Sequence, residues 1–336
     1  MPSRFPKGSY LSRCFQDEFE IQDFIGEGSF GKVYKCLERT SEKTFAVKEL
    51  PRSQALSMET FDNEVEIWKG LEHENIVSLH RTFRDHSFMY LVCEYIEGGS
   101  LFDEIVGHKV YGEEQARNIM KQLLQALKYL HGKRIVHRDV KADNLLISRS
   151  KHSDHVTVKL ADFGLARRLP ERSDVIGCDA AGAPLFLAPE TILEEPIGQP
   201  VDLWSCGVIL FILLAGYPPF WSSNDEKLLL SILQGNYSMP SPYWNNVSNE
   251  AKDLVQRLLV VQPVHRPTAS EAFNHPWMQM TPLHSSQKPT QRRNFAAVIC
   301  GVRAMLKFRK MNFQASSLKL TTARTGPSGL DDSGRC

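Results

Sequence analysis

The sequence predicts an α+β protein in two unequal parts, a small strand-rich lobe followed by a larger, mostly helical one. Three observations carry that expectation. Short apolar runs with strand character lie early in the chain, at 32–37, 44–50 and 88–93. The Glu97-Gly98-Gly99 break then ends the pattern. Beyond it, apolar residues recur at helical rather than alternating spacing.

Within the first part, 19–94, one helical stretch places Phe61, Val65 and Trp68 on a single face. In the second, 95–278, Ile119, Leu123, Leu127 and Leu130 define one helix, and a second apolar helix runs near 202–214. Residues 1–18 form an N-terminal extension and 279–336 a tail. The tail is polar over 285–291, basic and amphipathic over 292–310, and Ser-, Thr- and Gly-rich over 315–336, where disorder is expected. No internal repeat is visible.

With 336 residues, 42% apolar and 24% charged, the chain can bury a sizeable core. Forty basic against thirty-nine acidic side chains leave no global electrostatic footprint for nucleic acid or an anionic membrane. Seven cysteines scattered singly favour a reducing compartment, so the cytoplasm, or the nucleus, is the expected location. Residues 1–15 hold no apolar stretch and the longest one, 208–215, is too short for a bilayer, so neither a secretion signal nor a membrane span is expected.

Gly26-Glu27-Gly28-Ser29-Phe30-Gly31 lies between two strand-like runs, where glycines let backbone N–H groups approach phosphate oxygens. A dinucleotide-binding fold would want a helix next, yet Lys32-Val33-Tyr34-Lys35-Cys36 alternates like a strand; an ordinary hairpin turn is the other reading. Lys48 ends the run Phe45-Ala46-Val47-Lys48 and supplies a positive charge for phosphates, with Glu64 on the following helix as its candidate ion-pair partner. Both could equally be solvated surface charges.

The most specific signal is His137-Arg138-Asp139-Val140-Lys141-Ala142-Asp143-Asn144, followed by Asp162-Phe163-Gly164. Phosphoryl transfer requires in-line positioning and charge neutralisation more than covalent help. Asp139 can accept a substrate proton and Lys141 can steady the transferring group. Asn144 and Asp162 offer oxygen ligands suited to hard Mg2+ ions. Taken singly, Asp139 or Asn144 would read as a turn or a helix cap.

Together these motifs resemble the protein kinase family over residues 24–277. The resemblance implies a bilobal protein kinase fold, with a small antiparallel-sheet N-lobe carrying one main helix, a larger helical C-lobe, and ATP in the cleft. It implies that Ile25, Gly26, Glu27, Gly28, Ser29, Phe30 and Gly31 cover the nucleotide, and that Val33, Ala46 and Leu146 sandwich adenine. Backbone at Glu94 and Ile96 would bond the ring, with Cys93 as gatekeeper. Asp202 would anchor the catalytic loop and Glu190, in Ala188-Pro189-Glu190, would pair with Arg266. Lysine at position 141 is the serine/threonine mark. Gly207-Val208-Ile209-Leu210, Leu214-Ala215-Gly216-Tyr217-Pro218-Pro219-Phe220 and His275-Pro276-Trp277 resemble the calcium/calmodulin-dependent group.

Several positions depart from that group. Ala183 stands where a threonine hydroxyl usually links the catalytic aspartate and lysine, so a looser catalytic loop with reduced activity is expected. The activation segment, 165–187, has no threonine; Asp179 occupies the usual phosphothreonine position and could pair permanently with Arg138, or be a solvated acid, with Ser173 as the alternative point of control. Phe295, Ile299, Val302 and Phe308 form the apolar face of the basic tail segment, which suits calmodulin's groove and a role as autoinhibitor; packing on the lobe or on lipid headgroups are the other readings. The chain has no EF-hand loop of its own.

Protein substrates are the expected partners. Asp143 and Glu104 could attract a basic residue upstream of the acceptor, although Ser100 replaces a glutamate common in relatives, and 185–187 suggests an apolar pocket after it. A pseudokinase scaffold is the competing function, but the lysine, the aspartate and both metal ligands that such proteins lose are all present.

Overall fold

Alternating side chains build the first part of the molecule as a sheet. The structure is a computed structural model and describes residues 14–27, 31–52, 57–107, 111–149, 156–178, 182–222 and 224–280. One turn of helix, α1 (Phe15–Glu18), leads into β1 (Phe19–Glu27), β2 (Lys32–Glu38) and β3 (Thr44–Pro51). Then come α2 (Ser57–Trp68), β4 (Leu79–Arg84) and β5 (Phe88–Glu94). The strands form one antiparallel sheet in the order β1-β2-β3-β5-β4. β3 is central: Lys48 faces Val33 and Leu91, and Ala46 faces Lys35 and Cys93. Because side chains alternate, all six lie on one face of the sheet.

The opposite face is closed by Cys36, Val47, Tyr90 and Val92 together with Phe15 and Phe19. Phe15 stacks on Tyr90 with ring centroids 4.4 Å apart. Residues 14–18, assigned by sequence to the extension, therefore belong to the small lobe; the Phe15 ring finds its burial against the sheet.

α3 (Leu101–Val106) opens the second lobe, capped by Ser100, whose hydroxyl accepts from Asp103 N at 3.1 Å. α4 (Glu113–Gly132) buries Ala116, Ile119, Met120, Leu123, Leu124, Leu127 and Leu130 as one stripe. Short strands follow: β6 (Ile135–Val136), β7 (Leu145–Arg149), β8 (Val156–Leu160) and β9 (Arg167–Arg168), pairing β6 with β9 and β7 with β8. The remainder is helical: α5 (Pro189–Ile192), α6 (Pro200–Ala215), α7 (Asp225–Leu233), α8 (Asn249–Leu258), α9 (Ala269–Phe273) and α10 (Pro276–Gln279). Residues 201–215 of α6 are all buried, which is why its sequence is apolar on every side; Pro200 starts it and Gly216, at φ 81°, ends it.

The lobes are tied by the segment after α2. Val77 N donates to Leu160 O at 3.0 Å, Leu160 N to Asn75 O at 2.9 Å, and the Trp68 indole N–H to Val77 O at 2.6 Å. Among the described residues no helix is long and apolar enough to cross a membrane.

Candidate active site

The cleft between the lobes gathers charge that neither lobe could bury alone. Lys48 Nζ lies 3.0 Å from Glu64 Oε1 on α2 and 2.7 Å from Asp162 Oδ1. Burial would lower the pKa of this ammonium, but Asp162 and Glu64 outweigh it and hold the group well above its ordinary value. For Asp162, burial acts upward and Lys48 prevails, lowering the carboxyl to about 2. Burial pushes Glu64, fully enclosed, the other way despite the pull of Lys48. The ammonium is thus the fixed cation of the group. Asn63 Nδ2 also donates to Ala166 O at 2.9 Å, tying α2 to the segment beyond Gly164.

Asp139 sits below. Its Oδ2 accepts from Lys141 Nζ at 2.6 Å and Asn144 Nδ2 at 2.9 Å, and Asn144 Nδ2 also reaches Asp139 O at 2.8 Å. Oδ1 faces the end of the activation segment, where a Cβ on Gly182 would stand 3.7 Å away. Beside Ala183, Lys141 reaches the Asp139 carboxylate directly, without an intervening hydroxyl. Burial lowers the Lys141 pKa but Asp139 raises it further, so its net shift is upward.

The loop is held from beneath by Asp202, which accepts from the N–H groups of His137 (3.0 Å) and Arg138 (2.9 Å) and contacts His131 Nε2 at 2.9 Å. Burial would raise the Asp202 carboxyl, but the His131 hydrogen bond and the nearby imidazoles bring it below its ordinary value. Arg138 (φ 69°) and Asp162 (φ 63°) adopt left-handed backbone conformations, which persist where surrounding contacts over-determine them. Phe163 packs between His137 and Trp68, at 5.1 and 5.5 Å. The sequence pattern gives His131 and Trp68 no role at the site; both sit on apolar helix stripes, where a polar edge inside a hydrophobic pattern is the available signal.

Asn144 and Asp162 fit a hard dication. With Asn144 Nδ2 pinned to Asp139, the amide oxygen is the atom turned away, and Asp162 stays ionised while Lys48 and Gly164 N occupy only its Oδ1.

Of the nucleotide-lining candidates, Val33, Ala46, Lys48 and Cys93 share the cleft face of the sheet, while Leu146 follows the catalytic loop on β7. Glu94 ends β5 and gives its N–H to Ser78 O at 3.0 Å, and Ile96 lies in the connector beyond. Burial pushes the Cys93 thiol up to about 12, so it behaves as an inert apolar wall. Ile25, Gly26 and Glu27 end β1. Gly26 has open space around a would-be Cβ, whereas one on Gly31 would stand 2.2 Å from Glu49 O. Gly31 is required by strand packing, whereas Gly26 has room for a side chain. Gly28, Ser29 and Phe30 lie outside the described residues, as do Asp179, Phe295, Ile299, Val302 and Phe308.

Glu190 and Arg266 form a buried two-pronged pair at 2.6 and 2.7 Å. Ser173 Oγ donates to Val175 O at 2.8 Å, and its carbonyl accepts from Arg134 Nη2 at 2.8 Å. Leu185, Phe186 and Leu187, at the end of the activation segment, are buried. The Glu104 carboxylate is already occupied, by Arg149.

A family model described as a protein kinase domain matches residues 19–278. The chain is 40% identical over 267 residues to the calcium/calmodulin-dependent protein kinase type II subunit delta of Oryctolagus cuniculus, covering 79% of this chain and 49% of that protein. It is 37% identical over 331 residues to the calcium/calmodulin-dependent protein kinase type II of Caenorhabditis elegans, covering 96% and 44%. With the serine/threonine-protein kinase DCLK3 of Mus musculus it shares 41% over 289 residues, covering 84% and 36%. The chain spans less than half the length of each of these relatives. The matched model, the two-lobed fold and the cleft together place the chain in the protein kinase family.

Proposed function

We propose that this chain is an ATP-dependent kinase that transfers the γ-phosphoryl group to serine or threonine hydroxyls of proteins. One observation carries the reading: Lys48 bridges Glu64 and Asp162, while Lys141 and Asn144 converge on Asp139, in the same cleft. Asp139 Oδ1 accepts the proton that the substrate hydroxyl releases as its oxygen bonds to the γ-phosphorus. The bond from that phosphorus to the bridging oxygen breaks, and ADP leaves. Lys141 neutralises charge developing on the transferred group, and Lys48 holds the remaining phosphates. Magnesium held by Asn144 and Asp162 would supply further neutralisation of phosphate charge. Lysine at 141, the serine/threonine mark, supports the hydroxyl class.

The test is incorporation of labelled phosphate into a basic serine peptide. Asp139→Asn should lower it about 10²–10⁴-fold with nucleotide binding retained. Equal incorporation by both proteins would refute the role of Asp139. Nucleotide binding without turnover in either would replace the kinase reading with a scaffold.

Control by calcium and calmodulin through 292–310 is part of the same proposal. It is supported by the spacing of Phe295, Ile299, Val302 and Phe308 among arginines and lysines. Calcium-dependent capture of the 288–314 peptide by calmodulin tests it, and capture indifferent to calcium refutes it. Pairing of Asp179 with Arg138 would order the activation segment without an upstream kinase. Asp179→Ala should then lower activity; unchanged activity with control by phosphorylation at Ser173 would overturn that. Cys14, Cys36, Cys93 and Cys206 form no disulfide, which supports a reducing, cytoplasmic setting.

A further inference from the structure

The acids that were expected to draw a substrate's basic side chain lie on α3 and on the short 3-10 turn Ala142–Asn144, and these two elements pack against each other. The fold has engaged Glu104, and also its neighbour Asp103. Asp103 Oδ2 accepts from Ser100 N at 3.2 Å and Ser100 Oγ at 2.6 Å, closing the helix cap. Glu104 is held more completely. Arg149 Nε and Nη2 donate to its Oε1 at 3.0 and 2.7 Å, Nη2 also reaches Oε2 at 2.8 Å, and the Tyr111 hydroxyl donates to Oε2. The carboxylate is 15% exposed and the arginine 39%.

This fork on a carboxylate is the arrangement an incoming substrate arginine would make. Arg149 comes from the end of β7, a paired strand beginning at the residue after Asn144, so it is pre-positioned. A tethered group acts at an effective concentration in the mM range, far above that of a protein substrate. The pair is also neutral overall, so Glu104 itself adds no net charge to attract a cation.

The geometry points to Arg149 as a specificity-determining residue: its guanidinium fills the Glu104 carboxylate in place of a substrate cation, so the enzyme does not select a basic residue upstream of the acceptor hydroxyl. This rests on the kinase reading above and refines its substrate class to proteins whose upstream residues are uncharged or mixed.

The experiment uses the full chain, with and without calcium-loaded calmodulin, on serine peptides in which arginine replaces alanine at each upstream position in turn. The readout is the ratio of kcat/KM for the arginine peptide to that for the alanine peptide. The intact protein should give a ratio near one at every position. Arg149→Ala, which vacates the carboxylate, should raise the ratio about tenfold at one position. Adding Glu104→Gln to that variant should return it to about one. A purely structural staple between α3 and β7 would change thermal stability and all rates together but leave the ratio alone. A strong arginine preference in the intact protein, or an unchanged ratio in Arg149→Ala, overturns the inference while the kinase reading stands. No transfer to any peptide overturns both.

Discussion

Replacing Arg266 by alanine tests how the end of the activation segment is braced. The Arg266 guanidinium donates to both Glu190 carboxylate oxygens, at 2.6 and 2.7 Å, and to the carbonyls of Val260 (2.7 Å), Val261 (2.8 Å) and Pro200 (3.0 Å). It also lies 5.0 Å over the Trp204 ring. Its side chain is 0% exposed and that of Glu190 3%. Alanine would leave an uncompensated carboxylate and unpaired carbonyls in a low-dielectric interior. Breaking such a pair from one side costs about 3–5 kcal/mol. A domain of this size loses roughly 2–4 °C per kcal/mol, so Tm should fall by about 6–20 °C. Arg266→Met combined with Glu190→Leu removes both charges and should recover a large part of that loss. Thermal and urea unfolding followed by circular dichroism measure both variants. A single-variant cost under about 1 kcal/mol, the range of an exposed pair, would refute the buried-pair reasoning. So would a double variant as unstable as the single.

Gly31→Ala should destabilise the small lobe by about 1–3 kcal/mol or more, because its Cβ meets the Glu49 carbonyl, whereas Gly26→Ala should leave stability nearly unchanged and raise KM for ATP. Paired unfolding and kinetic measurements check this, and equal stability losses would contradict it. Ala183→Thr should leave kcat within about threefold, since Lys141 and Asn144 already hold Asp139; a tenfold gain would show that the missing hydroxyl limits turnover. Burial lowers the His137 imidazole below its ordinary 6.5, against the pull of Asp202 and Asp139. The unfolded chain then binds a proton that the native state refuses. Stability from this group is full above about pH 6.5 and falls below it by at most about 1.4 kcal/mol per pH unit. His137→Gln should flatten urea midpoints between pH 7 and pH 5; an unchanged slope would refute the assignment.

Much of this arrangement can be read in the chain. The strands at 32–37, 44–50 and 88–93 and the helices carrying Phe61 and Leu123 follow from periodicity, because each has one face in the core. β1 and β4 lie at the sheet's edges with mostly exposed side chains, so they carry little alternation to detect. The cleft residues are legible because phosphoryl transfer admits few residue types, and local spacing within 137–144 already brings Asp139, Lys141 and Asn144 together. The buried state of 185–187 and the early start of the small lobe at α1 are not legible, since apolar residues give no sign of whether they line a pocket or fill a core.

By itself the sequence determined the two-part architecture, the kinase resemblance and the identity of the residues available for chemistry, because these depend on local periodicity and residue type. Tertiary structure is what brings charges far apart in the chain into contact. Lys48 and Asp162 stand 114 residues apart, and Arg266 and Glu190 76 apart; each meets its partner only where two elements pack closely enough to exclude water. The same packing gave Glu104 to Arg149, an internal partner that spacing along the chain could not name. Electrostatic energy depends on distance and dielectric, and folding sets both.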